Sequence, residues 1–453
     1  MNPNDIKKRG KTFSQSSQHR IAESVLNKVS LKNISENPDA PISRIFKYAL
    51  DPAKIPVNDQ KYSGRCWIFS FTNMLRRKMI KHYNLDPGFN FSHKYITFFD
   101  KLEKMNALFE VMYFYAQKDQ TDSLDILHLR DSYMGDGGTW HYFVNIVNKY
   151  GIVPSEAYPE NHSSNATDEL NEILNQFVDS HITQVAATKT RASFEALKKK
   201  AMEKAINTLM AFLGVPPTEL VWKYVDSKGK IHEPHQKPCS PLAFYERYVK
   251  PVVNVDDFVV LINDPRNPYH RLYSVELMHN VLPEHPEMSL DRYPTNRYLN
   301  VPSDVMRDVL LKSIRSNMPV PFAADVTLFM RSNGSRMDLD VRYDDLLGYS
   351  IVHPKKELYE NHISAPNHAM LFIGANGPTG EWQVENSWGV ANTKYPYLTM
   401  SDSWFEHYVG EIIVHKKYMT KALRDEYRAL HKKADYTYLP FWDIFGTLAF
   451  SSS

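Results

Sequence analysis

Apolar positions recur at helical spacing over long stretches of the chain and give way to short β-type runs toward its C-terminal end. From Trp67 to His82 the residues Trp67, Ile68, Phe69, Phe71, Leu75 and Met79 fall at helical intervals, with no Gly or Pro between them. That spacing predicts a helix. An aromatic-rich pattern from about Ser92 to Gln117 runs through Tyr95, Phe98, Phe99, Leu102 and Phe109, and reads as a helix whose rings pack in the core. Further helices are predicted over roughly 17–29, 141–150, 168–178, 193–213, 303–316 and 420–433. A hairpin from Leu220 to Ile231 turns at Ser227-Lys228-Gly229. Strands are predicted at Val320–Val326, His368–Gly374, Trp382–Glu385 and Gly410–Val414, with Asn376-Gly377 as a turn signal. No internal repeat is visible.

This pattern divides the 453 residues into five segments. An N-terminal arm covers 1–50, a helical lobe 51–160, a mostly helical insertion with the hairpin 161–301, a β-rich lobe 302–418, and a C-terminal helix with an irregular tail 419–453. Two cysteines exclude a disulfide framework, and the stretch Met1 to Lys11 is polar, without an apolar leader. No run approaches the roughly 18 apolar residues that span a bilayer. The chain therefore reads as cytosolic, with no membrane partner. A formal net charge of +2 gives no reason to expect nucleic acid as a ligand.

Chemistry is concentrated in Gln60-Lys61-Tyr62-Ser63-Gly64-Arg65-Cys66-Trp67. Cys66 falls at the start of a predicted helix, where unpaired N–H groups and the macrodipole favour a thiolate. Gln60 can supply an oxyanion donor beside it. A lone cysteine is commonly a small apolar filler, and Cys239, in Lys237-Pro238-Cys239-Ser240-Pro241, reads that way. What sets Cys66 apart is a base and an orienter elsewhere in the chain. His368 opens the apolar run Ala369-Met370-Leu371-Phe372-Ile373, and Asn386 follows the strand Trp382–Val384 in Glu385-Asn386-Ser387-Trp388-Gly389. Antiparallel pairing of the two strands sets imidazole beside amide, with Trp388 shielding their bond from water. Gly137-Gly138, ahead of Thr139-Trp140, form a turn that lets another backbone approach closely. His232, Glu233 and His235 lie around Pro234 in a loop rather than on a helix face, so no metal site is expected, and no cofactor.

Together Gln60, Ser63-Gly64-Arg65-Cys66-Trp67, Gly137-Gly138, Gly151-Ile152 with Tyr158-Pro159, Asn367-His368-Ala369 and Asn386-Ser387-Trp388-Gly389 resemble the motifs of papain-like cysteine peptidases. Arg65 stands where the papain signature has Ser or Ala, and the interval from Cys66 to His368 far exceeds the roughly 130–150 residues of papain itself. Arg65, the insertion and the tail Leu439-Pro440, Trp442-Asp443, Gly446-Thr447-Leu448-Ala449 are similar to the bleomycin hydrolase/aminopeptidase C branch. That resemblance implies an α+β, two-lobed papain-like core with a large helical insertion, assembled as a homohexameric ring around an inner chamber. It implies peptide substrates, with Gly137-Gly138 pairing with substrate backbone. It also implies a C-terminal arm lying in the cleft near Ala449, whose terminal carboxylate binds the substrate α-amine and makes the enzyme an aminopeptidase.

The tail departs from that pattern. It continues through Phe450-Ser451-Ser452-Ser453 beyond Ala449, and has Ile444-Phe445 and Thr447 where Pro-Met and Ala are typical. Fully extended, the added residues reach at most roughly 13–14 Å, which would carry them into the catalytic cleft. Three readings are open: an aminopeptidase that trims its own tail, an endopeptidase whose tail folds out of the cleft, or a non-catalytic ring that binds or scaffolds. The complete set Cys66, His368, Asn386 and Gln60 favours an enzyme.

Overall fold

The structure is a computed structural model that describes residues 2–34, 37, 44–50, 55–120, 123, 126–129, 133–234, 236–282, 296–330, 336–341, 343–377, 380–390 and 396–450. The helix Cys66–Tyr83 begins at Cys66, the candidate nucleophile, and ends where Asn84 turns left-handed, at φ 52°. A left-handed residue closes a helix by satisfying its last carbonyls, here through Asn84 N–H to Ile80. Most of this helix is buried, polar residues included. It packs on one side against the aromatic-rich helix His93–Ala116 and on the other against the strand His368–Ala375.

That strand lies inside an 11-stranded mixed sheet formed by the described residues. It runs antiparallel to Val320–Ala324, with Ala324 opposite His368, and antiparallel to Trp382–Glu385, with Leu371 opposite Glu385. The register shifts between Gln383 and Val384. Such a bulge re-aims the residues beyond it, and the first residue past this strand is Asn386. All eight residues of His368–Ala375 are buried, as expected of a strand covered on both faces.

The insertion helices Asp168–Ala187 and Arg191–Leu213 pack against His93–Ala116. Each buries a narrow stripe at near four-residue spacing: Leu170, Leu174, Val178 and Val185 on one, Phe194, Ala201, Ala205, Leu209 and Leu213 on the other. Their polar remainder faces solvent, which explains the helix-former composition of this region. The hairpin forms as Tyr224–Val225 against Ile231–His232. No group of three metal-ligating side chains occurs among the described residues. His232 instead pairs with Asp226 at 2.8 Å, and His235 lies outside the described residues.

Two differences from the sequence reading concern boundaries. The β part of the sheet starts well before residue 302, because Phe258–Ile262, Arg271–Val275 and Tyr298–Asn300 already belong to it. Phe258–Ile262 is a continuous apolar run with no alternation, the pattern that periodicity cannot assign. The N-terminal arm carries the helices Pro3–Gln15 and Ser17–Leu26, joined at Ser16, whose hydroxyl caps the second, and a short third helix, Leu31–Ile34. Ile6, Phe13, Ile21 and Leu26 are exposed on them. No helix of the described residues is long and apolar enough to cross a membrane.

One carboxylate inside the sheet makes stability depend on pH. Glu411 sits in Val409–His415 with its residue 4% exposed, and burial pushes its carboxyl up from 4.5 to about 8. Between those values the folded chain holds a proton that the unfolded chain has released, so stability falls as pH rises from about 4.5 to 8. Glu411→Gln is therefore expected to melt a few degrees above wild type at pH 8 and to show no gain at pH 4.5. Thermal denaturation across that range reads the difference.

Candidate active site

The turn before the nucleophile is built from its own side chains. Gln60 Nε2 donates to the carbonyl of Ser63 at 2.6 Å, and Ser63 Oγ donates back to the carbonyl of Gln60 at 2.6 Å. Lys61 between them takes φ 56°, a left-handed turn that leaves Tyr62 81% exposed at the rim. Ser387 Oγ donates to Gln60 Oε1 at 2.6 Å, and Gln60 N–H donates to the carbonyl of Ser387 at 2.8 Å. With its oxygen held this way, the Gln60 amide can present only N–H to the cleft.

Arg65, the residue that departs from the papain signature, is fully buried. Its Nε donates to Ser63 Oγ at 3.0 Å and its Nη1 to Glu160 Oε2 at 2.9 Å, and the guanidinium lies 5.4 Å from the Phe69 ring centroid. Burial alone would raise the Glu160 carboxyl, but Arg65 and His93 hold it well below the usual carboxylate range. The ion pair thus ties the nucleophile turn to the Tyr158-Pro159-Glu160 segment.

Cys66 Sγ accepts the backbone N–H of Ala369 at 3.4 Å, so the strand that opens with His368 touches the nucleophile directly. His368 Nε2 meets Asn386 Oδ1 at 2.8 Å across the antiparallel pair. Ser387 N–H also donates to Asn386 Oδ1, at 2.8 Å, which fixes that oxygen toward the ring. An acceptor there assigns the imidazole proton to Nε2 and leaves Nδ1 for the thiol. Trp388 covers the pair, with ring centroids 4.9 Å apart. Gln60, Tyr62, Ser63, Cys66, His368 and Trp388 line one cavity of about 540 Å³.

Burial dominates the electrostatics. It pushes the Cys66 thiol up to about 11, although N–H groups of Ala369, Trp67 and Cys66 itself act in the opposite direction. It likewise pushes the His368 imidazole down to about 4, against the Asn386 hydrogen bond. The helix N-terminus therefore eases ionisation as its position suggests, but desolvation of the thiol is larger. Desolvation thus disfavours the thiolate and the imidazolium when each is taken alone.

Gly137 and Gly138 lie apart from that cavity's lining, with different neighbours. A Cβ on Gly138 would strike the Trp67 indole, and one on Gly137 would strike the carbonyl oxygen of Leu448. The C-terminal arm therefore passes directly over Gly137, with Ala449 buried. It arrives there from Tyr436–Leu439, a strand parallel to Arg271–Val275, and is held by Arg266 Nη2 to Asp443 at 3.0 Å. Thr447–Phe450 form a helical turn instead of an extended strand, and Phe450 packs 5.9 Å from Phe441 and 6.3 Å from Tyr133 between ring centroids. The chain at Phe450 thus turns aside into an aromatic nest and does not continue in extended form. Ser451 to Ser453 lie outside the described residues.

A thiol at a helix start, set against an imidazole–amide pair on a sheet, is the arrangement of a papain-like cysteine peptidase. The chain belongs to the peptidase C1-like family, whose model matches residues 1–446. Bleomycin hydrolase of Gallus gallus is 33% identical over 90% of this chain and 89% of its own length. Aminopeptidase C of Listeria monocytogenes is 30% identical over 95% and 94%. The solved structure of PepW from Lactobacillus rhamnosis superposes with a TM-score of 0.89 at 29% identity, covering 98% of both chains.

Sequence reasoning missed Ser387. Ser387 was visible only as a neighbour of Asn386, since its contact with Gln60 spans 327 positions. Cys66→Ala is expected to abolish peptide turnover without changing the melting transition. Ser387→Ala frees the Gln60 amide to rotate and is expected to lower kcat about tenfold, less than the 10²–10³ of losing an oxyanion donor outright. Steady-state kinetics on a peptide substrate measure both.

Proposed function

We propose that this cysteine peptidase is an aminopeptidase, releasing N-terminal residues from peptides through a thioester. His368 Nδ1 takes the thiol proton as Cys66 Sγ attacks the scissile carbonyl. The Cys66 backbone N–H and Gln60 Nε2 receive the developing oxyanion. The imidazolium then protonates the leaving amine, and neutral His368 activates the water that hydrolyses the thioester. Asn386 keeps the ring in the required tautomer throughout.

The observation that carries the aminopeptidase reading is the backbone of Leu448 and Ala449 over Gly137, while the cavity at Gln60, Cys66 and Trp388 stays open. The arm blocks one side of the nucleophile and leaves the other for the departing peptide. A substrate then enters only by its N-terminal end, with its α-ammonium recognised at the arm beyond Ala449. Relatives named bleomycin hydrolase and aminopeptidase C support the same activity. A homohexamer is the assembly we propose, with the apolar residues exposed on Pro3–Gln15 and Ser17–Leu26 at a subunit contact. A cytosolic setting fits the two free cysteines, although one Saccharomyces cerevisiae relative is named mitochondrial.

Peptides with a free α-amine are expected to turn over about a hundredfold faster than N-blocked ones, the scale of a lost charge-assisted contact. A chain ending at Gly446 is expected to narrow that gap by gaining activity on blocked peptides. Equal cleavage of blocked and free peptides by the full chain would establish an endopeptidase instead. Intact mass tests self-trimming: with Phe450 seated against Phe441 and Tyr133, full-length mass is expected in wild type as in Cys66→Ala, and a tail shortened toward Ala449 in wild type alone would establish trimming.

A further inference from the structure

The papain-type machinery leaves one buried charge next to the nucleophile without a role. Asp136 is 2% exposed, immediately before the glycine pair. Its Oδ2 accepts the backbone N–H of Gly64 at 2.9 Å, inside the turn that carries Gln60 and Cys66. Thr167 Oγ1 donates to the same oxygen. Its Oδ1 takes Lys101 Nζ at 2.8 Å and Asn171 Nδ2 at 3.1 Å. Its backbone carbonyl accepts Trp67 Nε1 at 2.7 Å, from the residue after the nucleophile. One residue thus grips the nucleophile turn from both sides of Cys66.

The same residue is rigid on its other side. Lys101 Nζ also donates to the carbonyl of Met134 at 2.7 Å, and Lys104 Nζ donates to the carbonyls of Gly135 and Gly137. Lys104 is neutralised by Asp100 at 2.9 Å, and Asn280 Nδ2 donates to Asp100 at 3.3 Å. The segment 134–137 is therefore stitched from beneath by two buried ammonium groups of the helix His93–Ala116, while the arm lies on its upper surface at Gly137. No covalent tie reinforces it, since both cysteines are free.

We propose that Asp136 is a positioning residue for catalysis, which locks the oxyanion-binding turn in register with the Gly137 strip that carries the arm and the N-terminal end of the substrate. The Cys66 N–H and the Gln60 amide must sit within hydrogen-bond reach of the developing oxyanion at the moment the substrate backbone is seated. A misplacement of about 1 Å between seat and donors costs on the order of a hundredfold in rate. The Gly64 N–H to Asp136 bond joins those two parts through a single side chain. The inference rests on the thiol-peptidase reading and adds to it a residue that touches neither substrate nor thiol.

Asp136→Asn tests it, with two reagents that separate positioning from general disorder. Iodoacetamide alkylates the thiol by displacing iodide and makes no oxyanion. A peptide aldehyde instead forms a hemithioacetal: sulfur bonds to the carbonyl carbon, and the oxygen, which takes up the proton, occupies the oxyanion site. The expected result is a kcat on peptide, and an affinity for the aldehyde, both lowered on the order of a hundredfold. Alkylation mapped to Cys66 should stay within about threefold of wild type or rise, because the Asp136 charge is among the causes that hold that thiol up. Unchanged kcat, or alkylation falling in step with kcat, would overturn the proposal. Should Asp136→Asn fail to fold, Lys101→Met/Asp136→Asn leaves no unpaired buried charge and is read the same way. Failure of both to fold would assign Asp136 to stability alone and overturn it too. Wild type is alkylated first: if Cys66 resists and peptides are still hydrolysed, the thiol-peptidase reading fails, independently of Asp136.

Discussion

Everything in this site depends on the docking of the helix Cys66–Tyr83 against the strand His368–Ala375. Two polar contacts mark the joint, Ala369 N–H to Cys66 Sγ at 3.4 Å and Ser70 Oγ to the carbonyl of Met370 at 2.6 Å, and the buried pair of Arg77 with Glu385 ties the same helix to the neighbouring strand Trp382–Glu385. Cys66 stands on the helix and His368 on the strand, so the two side chains meet only where this interface forms. Closure also desolvates both, which pushes the thiol up and the imidazole down when each is taken alone. Reactivity is then a property of the pair and not of either residue.

Around that joint, placement is secured by buried charge. Arg65 with Glu160 anchors one flank of the nucleophile turn, and Asp136 with Lys101 anchors the other. Buried ion pairs are weak sources of net stability, because desolvation offsets most of their attraction. Removing one partner is nevertheless costly, so the arrangement of such groups is sharply specified. This chain places several of them within a few residues of Cys66. In a fold with both cysteines free, they are the directional contacts available to hold a turn against a strip.

The C-terminal arm is the third element of the design. Its strand Tyr436–Leu439 adds in parallel to the edge strand Arg271–Val275, and Asp443 both caps the turn Ile444–Gly446 and pairs with Arg266. These contacts aim Leu448 and Ala449 at Gly137, where only a residue without a Cβ allows the approach. Phe450 then enters the nest formed with Phe441 and Tyr133. The helical turn matters because extension from Ala449 would have led elsewhere.

Local chemistry was legible from the amino-acid order alone. The helix at Cys66, the strands at His368 and Trp382, the hairpin at Ser227-Lys228-Gly229 and the Gln60–Cys66 turn all derive from spacing and from Gly, Pro and capping residues, which act over a few positions. The imidazole–amide pair was also within reach, because His368 and Asn386 are only 18 residues apart on adjoining strands. Strands such as Phe258–Ile262 were not, since a run buried on both faces carries no period. Ser387 against Gln60, Asp136 against Gly64, Arg65 against Glu160 and Leu448 over Gly137 were decided only by the tertiary structure. Each is a polar or steric contact between distant segments, set by how helices pack on the sheet and leaving no local pattern. The sequence by itself determined which groups could react; the packed fold decided what holds them in place and where the C-terminal arm lies beside them.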